Sequence, residues 1–190
     1  MNNNSKISFT SQIVPVSTKT FHKLERDIGL QFESAFPWVI STSVKGPKVY
    51  TKGVIDCTSC LIADGKEGLL MHLTPAYENN HNFRLVLGYL RLCFNLFDKN
   101  LHAVILGSKN TKKSLDIYNK FVQMLGDLGI PFSVLKNGKS PSHMAYNAIT
   151  DEVFISNDTI NNALKYNFNN QNVLNNAFEK VSLCSKDTIK

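Results

Sequence analysis

The sequence predicts a single α+β domain, and three observations carry that prediction. At 190 residues, 43% of them apolar, the chain can bury a sizeable core without disulfide or metal staples. Short runs of β-forming residues bounded by Gly, Pro, Asn and Asp fill its middle. Two longer segments with apolar residues at helical spacing interrupt those runs. No internal repeat and no obvious linker divides the chain.

Taken in order, residues 1–35 are mixed, with a short helix expected around Phe21–Ile28. From Trp38 the character is extended: WVISTSV, a turn at Gly46-Pro47, KVYT, then GVIDCTSCLIAD. The stretch Val54–Ala63 is almost wholly apolar or small, as a strand buried on both faces would be. Asp64-Gly65-Lys66 reads as a turn, and EGLLMHLTP as an antiparallel return strand that Pro75 ends. NNHNFRLVLGYLRLCFNLFDKN is expected to be a helix capped by Asn80 or Asn82, with Phe83, Leu87, Leu90, Phe94 and Phe97 as its buried stripe. LHAVILG follows as a buried strand. KKSLDIYNKFVQMLGDLG is an amphipathic helix with Leu115, Tyr118, Val122 and Leu125 expected inward and Gly129 as its stop. IPFSVLK, HMAYNAI and DEVFIS read as strands. The Asn-rich end keeps Ile160, Leu164, Phe168, Leu174 and Phe178 near helical spacing, which predicts one or two packed helices and a frayed tail.

Composition narrows the function classes. The longest apolar stretch, Phe83 to Phe97, is interrupted by Arg84 and Arg91 and is too short to span a bilayer. The opening MNNNSKISF lacks the apolar segment of a secretory signal. A soluble, cytoplasmic chain with reduced thiols and no membrane insertion is therefore expected. The net charge of +6 raises the question of nucleic acid. That charge is scattered lysine, with Arg26, Arg84 and Arg91 as the arginines and Lys112-Lys113 the densest basic point of the interior. Recognition of bases and phosphates favours Arg forks and clustered charge, so no nucleic-acid partner is expected.

The chemistry concentrates in residues 56–72, DCTSCLIADGKEGLLMH. A zinc clip would use Cys57, Cys60, His72 and His81. The histidines, however, are nine positions apart with Pro75 between, and cysteines three apart on a strand face opposite ways. A redox pair would need its Cys-x-x-Cys at a helix N-terminus, and no helix follows. A nucleophile–base pair needs only Cys57 opposite His72 on the next strand, with Thr51 holding the second imidazole nitrogen. Two inert buried cysteines and a core histidine would fit the same pattern. Cys93 reads as a small core hydrophobe, and Cys184 lies in the polar tail.

The segment TKGVIDCTSCLIADGKEGLLMHLTP resembles the catalytic hairpin of the chemoreceptor glutamine deamidases, the CheD family. Thr51, Cys57, Asp64, Gly68, His72 and Pro75 occupy that family's motif positions. HAVILGSKN, SLDIYNKFVQMLGDLGIPF and YNAITDEVFISN resemble its downstream elements. The likeness covers residues 38–157, leaving 1–37 as an N-terminal extension and 158–190 as an Asn-rich helical extension of one compact domain. The same Cys–His hairpin occurs in the catalytic domain of cytotoxic necrotizing factor and in YfiH-type purine nucleoside enzymes, which hold zinc with it.

The resemblance implies a layered α/β/β sandwich with mixed, largely antiparallel sheets. It also implies hydrolysis of a protein glutamine to glutamate through a Cys57 thioester, with His72 as base and Thr51 orienting it. Such chemistry moves no electrons, so no cofactor and no metal are expected. Cys60 is left as the alternative nucleophile. The expected partner is a protein substrate, taken by a monomer: a chemoreceptor or, if the chain is a secreted effector, a host protein. Three departures bear on that choice. The family's Gly-Ser before the cysteine is Ile55-Asp56 here; a carboxylate in that place is expected either to raise the thiol pKa or to orient another group, and Asp-Cys is what the nucleoside enzymes carry. The continuation that the nucleoside enzymes carry after their histidine is replaced by Leu73-Thr74-Pro75. NGKSPSHM stands where the receptor deamidases have a Gly-Gly-x-x-Gly-Arg stretch, which turns the expectation from a chemoreceptor towards a host protein.

Overall fold

A computed structural model describes residues 12–27, 33–35, 41–75, 80–96, 100–107, 111–136, 141–165 and 178–179. Its elements run β1 (Gln12–Pro15), α1 (Thr18–Asp27), β2 (Glu33–Ala35), β3 (Ser41–Gly46), β4 (Lys48–Val54), β5 (Thr58–Ala63) and β6 (Gly68–Leu73). They continue α2 (Asn80–Cys93), β7 (His102–Gly107), α3 (Lys112–Asp127), β8 (Phe132–Lys136), β9 (Ser142–Asn147), β10 (Glu152–Ser156), α4 (Asp158–Lys165) and β11 (Phe178–Glu179). The strands form two mostly antiparallel sheets, one ordered β1-β10-β9-β4-β2 and the other β11-β8-β7-β5-β6-β3. The class is α+β, as the sequence predicts.

Strand alternation sorts the apolar residues into layers. On β5 and β6, Leu61, Ala63 and Leu70 face the other sheet and meet Val49, Tyr146, Val153 and Ile155. The alternate residues Cys60, Ile62, Leu69, Met71 and Leu73 face α2 and α3 and meet Leu90, Ile117, Phe121 and Leu125. Both faces of these strands are buried, which is why they read as nearly unbroken apolar runs. On the outer side of the five-stranded sheet, Phe21 of α1 packs on Ala145, with Tyr50 and Phe154 around it. Among the described residues, no helix is long and apolar enough to cross a membrane.

Several expectations shift. The stretch Val54–Ala63 is not one strand: β4 ends at Val54, residues 55–57 bend, and β5 begins at Thr58. β4 belongs to one sheet and β5 to the other, so the bend carries the chain across the sandwich. The segment before Trp38 supplies the helix expected near Phe21, and also β1 and β2, which pair in parallel with β10 and β4. Leu90 of α2 and Phe94 just beyond it are buried as expected, with Leu87 packed partly buried against the same core, but the helix ends at Cys93, short of the expected Asn100. Phe97, and the side chains of Asn80, Asn82 and Phe83, lie outside the described residues. On α3, Tyr118 and Leu125 are buried and Val122 packs partly buried against the same core, as expected; Ser114, Ile117, Phe121 and Met124 are buried beside them, while Leu115, expected inward, is exposed. Gly129 stops α3 at φ +66°, with Ile130 N–H donating to the Leu125 carbonyl at 3.0 Å. Ile160 is buried on α4, but Phe178 sits in β11 rather than on a helix, and Phe168, Leu174 and Cys184 lie outside the described residues.

Candidate active site

Two local devices bring the chemistry-bearing residues to one place. The first is the β5–β6 hairpin. Asp64 Oδ1 accepts hydrogen bonds from the backbone of Lys66 at 2.8 Å and Glu67 at 2.9 Å, and Gly65 takes φ +83°. The register this turn sets pairs Ser59 with His72 and Thr58 with Leu73. His72 follows Leu70 in pointing between the sheets, because its neighbours Met71 and Leu73 point at the helices.

The second device is a bulge in β4. The pairing with β9 runs regularly through Thr51↔Met144 and then shifts to Val54↔Ser142. Gly53 supplies the left-handed conformation there, at φ +70°, which a side chain rarely tolerates. With one extra residue in the strand, both Thr51 and Val54 are turned into the core, and both are fully buried. His143 on β9 holds the bulge by accepting a hydrogen bond from Gly53 N–H at its Nδ1, 3.3 Å away. Burial first, and then the His22 and Lys52 charges, push that imidazole down to about 4, so it stays neutral and able to accept. His102 is also a core residue, lowered chiefly by burial. The side chain of His81 lies outside the described residues.

The outcome is a contact across the sandwich. Thr51 Oγ1 on one sheet and His72 Nδ1 on the other are 2.6 Å apart, both residues fully buried. This is the Thr51–His72 contact expected from the sequence.

Cys57 lies not on a strand, as expected, but in the bend just before β5. It directly precedes Thr58, the first paired residue of β5, and lies two residues before Ser59, the cross-strand partner of His72. Its partly buried thiol packs against the inter-sheet core, the side His72 faces. Cys60 is fully buried in the helix-facing cluster, on the opposite side of the sheet. The two cysteines therefore do not converge, and among the described residues no group of His, Cys, Asp and Glu is arranged to hold a metal ion. Cys93 is partly buried against the helix-side core.

Electrostatics separate the thiols further. Burial, and then the Asp56 charge, raise the Cys57 pKa above the ordinary thiol value. Burial alone pushes Cys60 far higher. At neutral pH Cys57 therefore rests as a thiol, and no thiolate waits preformed. Asp56 is itself exposed, so its effect can be tested by substitution. Alkylation proceeds through the thiolate, so a raised pKa means slow labelling at neutral pH, climbing about tenfold per pH unit until the pKa is passed. Asp56→Asn removes a negative neighbour, lowers the pKa and speeds iodoacetamide labelling of Cys57 near pH 7. An unchanged rate would show that Asp56 does not act on the thiol.

Sequence reasoning missed Ser114. Its hydroxyl donates to the Asp56 carbonyl at 2.6 Å, tying the first turn of α3 to the bend that carries Cys57. The signal available was Thr111, a good N-cap residue three positions before Ser114, which fixes the start of the helix. Comparison with protein-family models and with curated proteins finds no match.

Proposed function

We propose that the chain is a cysteine-dependent amide hydrolase that converts a protein glutamine to glutamate and releases ammonia. The observation that carries this reading is the 2.6 Å Thr51–His72 hydrogen bond between the sheets, with Cys57 on the same inter-sheet side. A hydroxyl on Nδ1 fixes an imidazole's orientation and leaves Nε2 for proton transfer. The likeness of residues 51–75 to the receptor deamidase hairpin supports the same chemistry.

For Nε2 to accept a proton, Nδ1–H must donate to Thr51 Oγ1. The Cys57 thiol, held protonated by burial and Asp56, passes its proton to Nε2 as the sulfur attacks the carboxamide carbon. Attack and deprotonation are coupled, because no thiolate is stored beforehand. The tetrahedral intermediate carries its charge on oxygen and collapses when His72 returns the proton to the departing nitrogen, which leaves as ammonia. Water then gives a proton to His72 and adds to the thioester, and collapse restores the thiol and leaves a carboxylate. The substrate is a glutamine on a protein surface, on a host protein in preference to a chemoreceptor, because the stretch 137–144 keeps Gly138 but lacks the rest of the receptor enzymes' glycines and their arginine.

The direct test incubates the wild type and Cys57→Ala with a panel of candidate proteins, receptor cytoplasmic fragments and host-cell extract among them. Mass spectrometry then locates glutamines that have become glutamate. Conversion by the wild type and not by the variant supports the reading. Labelling of Cys57 that ignores His72, with no conversion in any sample, makes the fold a binding scaffold instead.

A further inference from the structure

We infer that Ser114 is a positioning residue that aims the Cys57 backbone N–H as an oxyanion donor. This rests on the hydrolase reading above. The Ser114 side chain is fully buried, and its hydroxyl donates to the Asp56 carbonyl at 2.6 Å. It also lies 2.6 Å from Thr111 Oγ1. A hydroxyl has one proton, so Ser114, donating to Asp56, must accept from Thr111. The two hydroxyls form a relay from the N-cap of α3 into the bend, each bond polarising the next.

The consequence follows from the peptide unit. The Asp56–Cys57 bond is trans, and in a trans peptide the C=O and the following N–H point in opposite directions. Fixing the Asp56 carbonyl on Ser114 therefore turns the Cys57 N–H away from α3. A donor on the nucleophile's own backbone stands beside the carbon the sulfur attacks, where the oxygen gains its charge. Residues 55–57 belong to no strand, so no sheet ladder holds this peptide plane. Without the serine, the plane is free to rotate and the donor loses its aim.

Two probes of the same sulfur separate this role from others. Acylation of Cys57 by p-nitrophenyl acetate passes through a tetrahedral oxyanion; alkylation by iodoacetamide does not. Both rates are read by intact mass in the wild type, Ser114→Ala, Ser114→Thr and His72→Ala. The expected result is acylation slowed about tenfold or more in Ser114→Ala, the order expected when one oxyanion donor is lost or misaimed. Alkylation stays within twofold of wild type, and Ser114→Thr, which keeps the hydroxyl, recovers acylation. If both rates fall together, Ser114 acts on the thiol or the fold, and the inference is overturned. If neither falls, it is also overturned. Should Ser114→Ala unfold, Thr111→Val removes the donor behind the serine and must slow acylation selectively; equal rates there reject the inference. Wild-type acylation that is indifferent to His72→Ala overturns the hydrolase reading itself, an outcome distinct from the others.

Discussion

Cys57→Ser and His72→Ala lose glutamine conversion by roughly 10,000-fold or more, the scale seen when a member of a nucleophile–base pair is removed, while Cys60→Ser keeps most of it. The geometry behind this asymmetry is the sheet's alternation. Cys60 lies among Ile62, Met71 and Ile117 on the helix side, with no exposure, and its thiol is raised far above neutrality. Neither a substrate nor His72 meets that face. The cost of Cys60→Ser falls on stability, because a hydroxyl placed in an apolar cluster without a partner costs about 1–3 kcal/mol. Turnover and thermal melting, measured on the same three variants, should therefore separate cleanly. Cys57→Ser should melt within a few degrees of wild type and be inactive; His72→Ala should be inactive and also less stable, since it empties a fully buried site and strips Thr51 of its 2.6 Å partner; Cys60→Ser should be active and less stable. An inactive Cys60→Ser that melts like wild type would move the nucleophile to the other face and sink the assignment of Cys57.

The raised Cys57 pKa shapes how this site can work. A cysteine activated as a standing thiolate is reactive towards any electrophile that reaches it. Here burial and then Asp56 oppose ionisation, so in the proposed mechanism the thiol becomes nucleophilic only when His72 takes its proton during attack. Such a site discriminates against small alkylators and favours a substrate that brings its carbonyl into a donor-lined position. The Thr111–Ser114–Asp56 hydrogen bonds fit that proposal, in which they aim an oxyanion donor and leave the sulfur untouched.

How much of this was legible depended on whether periodicity or a single residue decided the matter. The β5–β6 hairpin was legible because Asp64-Gly65 is a turn signal between two apolar runs, and its register puts position 72 on the inter-sheet face. The Thr51–His72 contact followed from that register together with the position of Thr51 upstream. The break at 55–57 was not legible from hydropathy, because Val54 and the apolar residues of β5 read as one run although they lie in different sheets. Asp56 was the available sign, an exposed carboxylate inside an otherwise apolar stretch. The exposure of Leu115 on α3 escaped for a different reason. Ser114 is buried because its hydroxyl meets a backbone carbonyl, and a polar residue satisfied in that way is invisible to an apolar pattern. Ser114 takes the inward place at this turn, and Leu115 is exposed. β1 and β2 flank the five-stranded sheet as short parallel edges, where alternation is weak and Pro15 is tolerated at a strand end.

Thr51→Val is the variant that tests the mechanism rather than the roster of residues. Valine keeps the shape of threonine and removes its hydroxyl, so Nδ1 of a fully buried imidazole loses its 2.6 Å contact. Two effects are expected. The fold loses about 1–3 kcal/mol, the usual cost of stripping the partner from a buried polar group. The rate falls by roughly 10–100-fold, because the imidazole is no longer held with Nδ1–H inward and Nε2 ready to accept. That fall should appear in kcat, with KM little changed, since Thr51 lies inside the sandwich where it meets His72 and not the substrate. Thr51→Ser, which retains the oxygen, should recover most of the rate. If Thr51→Val costs stability but leaves kcat intact, the hydrogen bond fastens one sheet to the other and does not tune the base. A kcat loss recovered by serine would instead mean that the bond joining the two sheets also sets the proton on His72, so that sandwich packing and acid–base chemistry depend on one contact.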